Sequence, residues 1–201
     1  MPVVPAEAGL RQRKKERTRQ DLARAALRLF VERGYEAVKV EDIAAAVDVS
    51  ERTFFRYFTS KEEALWPDQD ERRAEYAAVL AEGPAGEPVL ECLRRAAVAA
   101  AITYMEPDRE MLARFRLLTE TPALRGYLLE TLLAWEDVTA HALAERLGSG
   151  RGCQLRAQLL GSASVASFRV AVVAWVASDG QRDLRTLVVQ SLDSLAADLS
   201  G

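Results

Sequence analysis

The stretch VSERTFFRYFTSKE, residues 49–62, mixes cationic, aromatic and hydroxyl side chains. Arg52, Arg56 and Lys61 lie among four aromatic residues of this stretch. Guanidinium and ammonium groups bind phosphate oxygens, and an arginine can also donate two hydrogen bonds to the edge of a guanine. A segment this short forms no core alone, so its aromatic side chains need neighbouring helices to pack against. The residue types therefore favour a helix with one packed face and one polyanion-binding face.

Charge is distributed unevenly along the chain. The formal net charge is −3 over 201 residues, but residues 1–61 carry 13 Lys/Arg and 9 Asp/Glu, whereas residues 62–201 carry 14 and 21. A basic end on an acidic body indicates that the N-terminal part binds a polyanion. Charge alone leaves open the alternative that basic residues merely cluster in a solvated arm.

Composition argues against several classes of protein. At 49% hydrophobic residues the chain can bury a core and is not a disordered protein. Cys92 and Cys153 lie far apart without CxxC spacing, which fits neither a disulfide framework nor a zinc site and favours a reducing compartment. The N-terminal residues contain no apolar signal-peptide core, so we expect a cytoplasmic protein. Three serines and Arg169 interrupt the apolar run at 159–177, which favours a buried helix over a membrane span.

Apolar residues recur at helical spacing, and no run of alternating β-branched residues lies between turn signals. The spacing predicts helices at about 12–33 and 40–47, then the three-residue turn DVS, then a third helix that starts at Ser50 or Glu51. Two short helices joined by such a turn form a helix-turn-helix, whose last helix enters the major groove of DNA. We therefore expect an all-α protein that binds DNA through its third helix.

The third helix has two faces. Phe54 and Phe58 are four residues apart and share a side, which we expect to face inward. Their expected neighbours are Phe30, Ile43 and Val47. Glu51, Arg52, Phe55 and Arg56 then point outward. After this helix, Ser60 and Glu63 form a capping-box pattern, which predicts a fourth helix that runs to about Glu82 with a kink at Pro67.

The stretch VKVEDIAAAVDVSERTFFRYFTSKEEAL, residues 38–65, resembles the signature of the TetR family of one-component bacterial repressors. The matching elements are a helix similar to VxxIAxxAGVS, an aromatic pattern close to TFYxYF, and xxKExL. Two positions depart from the family pattern. Asp48 stands where the family usually has a turn glycine, and Lys39 stands where threonine is common.

The resemblance implies roles for residues at the matching positions. Thr53, Tyr57 and Lys61 match positions that contact the phosphate backbone, with Lys39 and Arg56 as expected further phosphate contacts. Glu51, Arg52 and Phe55 match positions that face base edges. The basic run at 11–19 would reach phosphates or the minor groove, or else remain a solvated arm; its members are Arg11, Arg13, Lys14, Lys15, Arg17 and Arg19.

The resemblance also implies three regions. These are a basic arm and helix-turn-helix at 1–60, a connecting helix at 61–82, and a helical ligand-binding and dimerisation domain at 83–201. Helices of the last region are predicted at roughly 88–105, 108–119, 122–147, 153–178 and 183–199.

The last two predicted helices carry apolar stripes that favour a homodimer on a palindromic operator. The first stripe is Leu155, Leu159, Ala163, Ala166, Val170 and Val173, and the second is Leu184, Leu187, Val188, Ser191, Leu192 and Leu195. The alternative is that both stripes belong to the core of a single chain.

A small-molecule effector is the ligand that the resemblance implies, and an acyl group or another amphipathic molecule is one candidate class. Pocket candidates are the large, soft or polar side chains of the middle helices, although each is individually more typical of a core. They are Met105, Met111, Phe115, Tyr127, Trp135, His141 and Trp175.

Two other classes of function were weighed against a DNA-binding repressor. An enzyme is disfavoured, because the sequence carries one histidine, two unclustered cysteines, and no phosphate loop, HExxH or GxSxG motif. We expect neither a metal nor a cofactor. The second alternative is a helical protein-interaction module whose helix-turn-helix no longer binds DNA, because acidic residues such as Glu41 and Asp42 lie near the expected DNA face.

Overall fold

The computed structural model describes residues 6–84, 86–104, 109–148 and 150–200, and every regular element within these ranges is a helix. The all-α prediction is therefore confirmed for the part of the chain that is described. Contacts divide the chain into two compact units, Met1–Asp68 and Gln69–Gly201.

The first unit contains three α-helices and one short 3-10 turn. Helix α1 covers Ala6–Arg33, α2 covers Val40–Ala45, α3 covers Glu51–Phe54, and the 3-10 turn covers Glu63–Leu65. The predicted first helix started about six residues too late, and the third is a single turn. The order of long helix, short helix, tight turn and short helix is the one that the spacing predicts.

Aromatic packing holds α3 in place. The side chains of Phe54 and Phe58 are 0% and 2% exposed, and their ring centroids lie 5.4 Å apart. Phe30 and Ile43 are also buried, whereas Val47 is only half-buried. Burying one phenylalanine contributes about 1.5–3 kcal/mol, more than a four-residue helix gains by itself. The inward assignment of the two phenylalanines is confirmed.

Three local features shape α2, α3 and the turn between them. Asp48 adopts φ 54, in the left-handed region that aspartate tolerates better than most residues. Ser50 caps α3, because its Oγ accepts a hydrogen bond from the Thr53 amide at 3.2 Å. At the start of α2, the Lys39 side chain has no acceptor atom and cannot cap the helix. The Asp42 carboxylate instead accepts a hydrogen bond from the Lys39 amide at 2.8 Å.

The predicted helix at 61–82 is broken, rather than kinked, at Pro67. After the 3-10 turn the chain leaves helical geometry at Trp66, with φ −133 and ψ 72, and α4 covers only Gln69–Ala81. Pro67 is the physical reason, because a proline lacks an N–H and disfavours helical backbone in the residue before it. The capping residues are used locally: Ser60 Oγ accepts from the Glu63 amide at 3.3 Å.

The second unit consists of α4 and five further helices. They are α5 Val89–Tyr104, α6 Arg109–Glu120, α7 Arg125–Leu147, α8 Cys153–Ala177 and α9 Leu184–Ser200, with a 3-10 turn at Pro122–Leu124 before α7. Each predicted helix of this region is confirmed to within about three residues. Helices α7 and α8 approach closely at Gly161, where an added Cβ would lie 3.1 Å from the backbone of Ala140 and of Glu136.

An ionic cluster fixes the C-terminal end of α4. The Glu87 carboxylate accepts from Arg95 Nη2 at 3.0 Å and from Arg146 Nη2 at 3.3 Å. Arg146 also donates to the carbonyl oxygens of Leu80 and Pro84 at 3.2 and 3.1 Å. The hydrogen bond from Arg95 is the main reason that the pKa of Glu87 lies below its ordinary value. The cluster thus joins α4, α5, α7 and the loop between α4 and α5.

A second network ties the end of the first unit to the loop between α1 and α2. Lys61 Nζ donates to the carbonyl oxygens of Tyr35 and Val38, both at 2.8 Å, and lies 4.1 Å from the centroid of the Tyr35 ring. The Tyr35 hydroxyl donates to the Glu62 carboxylate. Burial and this contact raise the pKa of Tyr35 well above its ordinary value. Burial alone would raise the pKa of Glu62, but hydrogen bonds from Tyr35 and Ser60 lower it overall.

We expect Lys61→Met to destabilise the first unit, because the backbone carbonyl oxygens of Tyr35 and Val38 lose a charged donor. A hydrogen bond to a charged group contributes about 1.5–3 kcal/mol, and water replaces part of the two lost bonds because Lys61 is only half-buried, so the local opening free energy should fall by about 1–3 kcal/mol. Native-state amide exchange on peptides from residues 20–60 measures this loss. The exposed Lys39 gives the matched control, and Lys39→Met should change exchange by less than about 0.5 kcal/mol. Equal exchange in both variants would contradict the structural role of Lys61.

Glu62 makes the first unit sensitive to acid. Its pKa is lower in the folded state than the ordinary value of 4.5, so its carboxylate stabilises the fold above that value. The contribution is lost as pH falls through the folded pKa. We expect the stability difference between wild type and Glu62→Gln, measured by amide exchange, to shrink between about pH 6 and about pH 3. A stability difference that stays constant over this pH range would show that Glu62 does not make the first unit sensitive to acid.

Candidate nucleic-acid interface and effector cavity

Helix α3 presents a mixed polar and aromatic face to solvent. Glu51, Arg52, Phe55 and Arg56 are all exposed, and the Phe55 side chain is 53% exposed despite its size. The Phe55 ring stands edge-on to the buried Phe54 ring at 5.5 Å. The packed side of the helix therefore fixes the direction of the exposed side. This arrangement offers a guanidinium for hydrogen bonds to base edges and an apolar ring for contact with a thymine methyl group.

Hydroxyl groups lie at the rim of this face. Thr53 and Tyr57 are half-buried, and Thr53 Oγ1 lies 3.0 Å from Ser50 Oγ. Arg56 Nη2 donates to the Tyr57 hydroxyl oxygen at 3.3 Å, and the guanidinium lies 5.1 Å from the centroid of the Tyr57 ring. Such rim hydroxyls and guanidinium groups are suited to phosphate oxygens.

The two lysines expected at phosphates differ in their surroundings. Lys39 is exposed at the start of α2. Lys61 is half-buried, and two of its three N–H donors are used by the carbonyl oxygens of Tyr35 and Val38. Sequence reasoning missed this internal role, because nothing local to Lys61 marks contacts with residues more than twenty positions earlier.

The basic run at 11–19 lies within α1. Arg13, Lys14, Lys15 and Arg17 are exposed, whereas the side chain of Arg11 lies outside the described residues. Two of the run's arginines have acidic neighbours on the same helix: Arg17 lies 3.9 Å from Asp21, and Arg19 lies 4.0 Å from Glu16. The run is helical throughout, because α1 begins at Ala6.

A small cavity lies between α4, α5 and α7 of the second unit. Its volume is about 110 Å³, and it is partly open to solvent. The lining residues are Arg72, Glu75, Tyr76 and Val79 from α4, Ala96, Ala99 and Ala100 from α5, and Trp135 from α7. An engineered apolar cavity of about 150 Å³ holds benzene, so the smaller volume here limits an enclosed group to at most about one ring in size.

Polar contacts surround the aromatic wall of the cavity. The rings of Tyr76 and Trp135 meet edge to face with centroids 5.3 Å apart. Trp135 Nε1 donates to Gln69 Oε1 at 3.3 Å. The Tyr76 hydroxyl forms hydrogen bonds with Thr139 and Ser164, and burial raises the pKa of Tyr76.

Of the predicted pocket residues that the structure describes, Trp135 alone lines this cavity. Phe115 and Trp175 pack against each other elsewhere, with ring centroids 6.1 Å apart. His141 is exposed on an open groove between α4 and α7, 3.8 Å from Glu145. Met111 and Tyr127 are half-buried and line neither the cavity nor the groove, and Met105 lies outside the described residues.

Sequence reasoning missed the walls that α4 and α5 contribute. Ala96, Ala99 and Ala100 recur at i, i+3 and i+4, which places three small side chains on one side of α5. That spacing is a weak signal, because Ala97 and Ala101 make the other sides of this stretch of α5 small as well. Tyr76 lies in the segment at 61–82, which the resemblance predicts as a connecting helix, so the sequence did not mark it as a pocket residue.

The two predicted dimer stripes have different surroundings. On α8, Leu155, Leu159, Val170 and Val173 are all at least 45% exposed. On α9, Leu184, Leu187, Val188 and Leu192 are buried, because α9 packs against α5 and α8 of its own chain. The α9 stripe is thus core, which corrects the prediction that both stripes face a partner.

Helix α8 is also long and apolar enough to cross a membrane by length and composition, with 39% of its most apolar window buried. It packs against α7 and α9, as the core helix of a soluble protein does. Within the described residues no group of three or more His, Cys, Asp or Glu side chains could hold a metal ion.

Comparison with known proteins covers both units. The family model described as "Bacterial regulatory proteins, tetR family" matches residues 22–65, and the model described as "MftR C-terminal domain" matches residues 87–200. The chain is 37% identical to the HTH-type transcriptional regulator TcmR of Streptomyces glaucescens over 98% of its own length and 90% of the relative's.

Solved structures share the fold. Thermus thermophilus FadR, a TetR-family transcriptional repressor crystallised with lauroyl-CoA, is 26% identical with a TM-score of 0.56, over 89% of this chain and 93% of FadR. Bacillus subtilis FadR with stearoyl-CoA is 20% identical with a TM-score of 0.56, over 86% of this chain and 95% of that one. With matches across both units and a relative of nearly full length, the chain belongs to the TetR family of bacterial regulatory proteins.

Proposed function

We propose that this transcriptional regulator is a ligand-released repressor that binds a palindromic operator as a homodimer in the cytoplasm. The observation that supports this best is the exposed face of α3, because Arg52 and Phe55 point outward from a helix that Phe54 and Phe58 fix from behind. One such helix per protomer enters one major groove. In a two-fold dimer the two helices read half-sites one helical turn apart, about 34–36 Å.

The side chains divide between sequence reading and positioning. Glu51, Arg52 and Phe55 contact base edges. Thr53, Arg56 and Tyr57 contact phosphates from the rim of the same face, and Lys39 does so from the start of α2. Lys61 supplies its remaining N–H to a phosphate while its other donors hold the loop before α2.

The effector site is the cavity between α4, α5 and α7. The crystal structures of FadR from two bacteria contain acyl-CoA molecules, which supports a small-molecule effector for this chain as well. At about 110 Å³ the cavity encloses a group of ring size, so a long acyl chain enters only if the helices move apart. A compact effector, or one end of a larger one, fits the present dimensions.

The dimer forms around the exposed stripe of α8, with α9 beside it. Four large apolar side chains at Leu155, Leu159, Val170 and Val173 are uncovered in the single chain. In a two-fold contact this stripe packs against the same surface of the second copy, so each substitution changes the interface at two symmetric places. Burying one leucine contributes about 1.5–3 kcal/mol, so a second copy that covers this stripe gains a substantial apolar contact.

The first experiment is fluorescence anisotropy with duplexes of about 30 bp tiled across the DNA upstream of the protein's own gene, at two salt concentrations. A site-specific complex with two protomers per duplex and steep salt dependence supports the repressor. If neither these duplexes nor a selection from random sequences yields a specific site, the helix-turn-helix serves protein contacts instead.

We expect Arg52→Ala to lower affinity for the selected operator by about 1–3 kcal/mol and to leave affinity for random DNA nearly unchanged, because a base contact is lost. Lys39→Ala is the matched phosphate variant, and it should weaken both duplexes alike and reduce the salt slope by about 1. Anisotropy titrations on operator and scrambled duplexes separate the two patterns. Equal losses on both duplexes for Arg52→Ala would overturn its base-reading role.

We expect Leu159→Lys to convert the dimer to a monomer at micromolar concentration, because two lysines would face each other across the two-fold contact. Sedimentation equilibrium measures the change. Gln190→Lys adds the same charge at an exposed position of α9 and should leave the dimer intact. A dimer that survives Leu159→Lys, with helix content preserved, would place the contact elsewhere.

A further inference from the structure

We propose that Trp135 is a latch that reports occupancy of the cavity to the start of α4, by holding or releasing Gln69. This inference rests on the proposed function and adds the step between the cavity and the DNA-binding unit. Trp135 is the residue that both lines the cavity and bonds the first residue of α4. A molecule that moves its ring to enter the cavity therefore also breaks the contact with Gln69.

The ring is the movable part of Trp135, because its backbone is fixed. Its carbonyl oxygen accepts from Thr139 Oγ1 at 2.7 Å within α7. Thr139 is fully buried and also bonds the Tyr76 hydroxyl, so the opposite side of the aromatic wall is held by the same residue. An entering group thus meets a fixed tyrosine and a tryptophan that can rotate about its side-chain torsions. The indole N–H turns away from Gln69 in that rotation.

The two ends of α4 are held very differently. Beyond its C-terminal end, Glu87, Arg95 and Arg146 form the ionic cluster, and Arg146 donates to Leu80 O at 3.2 Å and to Gly83 O at 3.4 Å. At the other end, Gln69 Oε1 accepts from Arg73 of the same helix at 3.1 Å and from Trp135 at 3.3 Å. In the described residues, the bond from Trp135 is the contact that ties the Gln69 side chain to another helix. Opening the latch therefore removes the bond that ties the Gln69 side chain to α7.

The expected loss of operator affinity follows from the proposed release by ligand, and chain connectivity gives the route. Gln69 comes directly after Asp68, the last residue of the first unit. In the structure the cavity is small and the bond between Trp135 and Gln69 is formed. If ligand releases the repressor, this is the state that binds the operator. One neutral hydrogen bond biases such an equilibrium by a few-fold to about tenfold. Loss of the latch should therefore weaken the operator complex by a factor in that range without unfolding the protein.

The test compares three variants with a matched control. Trp135→Phe keeps an aromatic ring but removes the donor, Gln69→Met keeps the length but removes the acceptor, and the double variant removes both. Trp175→Phe makes the same chemical change at a buried tryptophan that packs on Phe115 rather than on α4. We expect operator affinity to fall about three- to tenfold in each single variant, with no further loss in the double variant, and to stay unchanged in the control.

A second readout does not require DNA. Amide exchange of residues 73–76, the first hydrogen-bonded turn of α4, should become faster in Trp135→Phe and Gln69→Met and stay unchanged in Trp175→Phe. Unchanged exchange in both latch variants overturns the latch, whether or not the protein binds DNA. Absence of any operator for the wild-type protein, together with faster exchange in these variants, would count against the repressor and leave the latch standing.

Rescue with a small molecule distinguishes the hydrogen bond from simple filling of space. Trp135→Ala opens a space beside the cavity, and added indole refills it with both a ring and an N–H donor. N-methylindole refills the same space without a donor. We expect indole to restore slow exchange of residues 73–76 and N-methylindole to fail. Equal restoration by the two compounds would show that Trp135 acts by packing alone.

Discussion

Burial of Phe54 and Phe58 is the constraint on which the DNA-binding unit depends. Helix α3 contains four residues, far fewer than an isolated helix needs in water. Its position is therefore set by burial of Phe54 and Phe58, by contacts with α2 and by the Ser50 cap, rather than by its own hydrogen bonds. Because the packed and exposed side chains alternate along one turn, fixing the two phenylalanines also fixes where Arg52 and Phe55 point.

Much of this could be predicted from the sequence, because it depends on local spacing. The helix-turn-helix, the inward phenylalanines and the later helices all follow from periodicity, caps and turn residues within a few positions of each other. The left-handed backbone at Asp48 follows in the same way, since the family pattern places a glycine there. These features are local, and local patterns are what a single sequence records most directly.

Features that depend on distant residues could not be predicted. Lys61 bonds carbonyl oxygens at residues 35 and 38, and Trp135 bonds Gln69 across 66 positions. Nor does an apolar stripe state which neighbour covers it, so the stripes of α8 and α9 looked alike although one is exposed and the other is core. The break of the helix at Pro67 could not be distinguished from a kink, because both have the same sequence signal.

The shortness of α3 limits how much sequence one protomer can read. Four helical residues rise about 6 Å along the axis, which corresponds to roughly two steps of 3.4 Å between stacked bases. The base contacts proposed for Arg52 and Phe55 would then fall on two or three base pairs of each half-site. Discrimination among genomic sites must draw on the spacing of two half-sites and on the ease with which the DNA between them bends. Operators for this protein should therefore be recognisable by the symmetry and spacing of their half-sites more than by a long conserved base sequence.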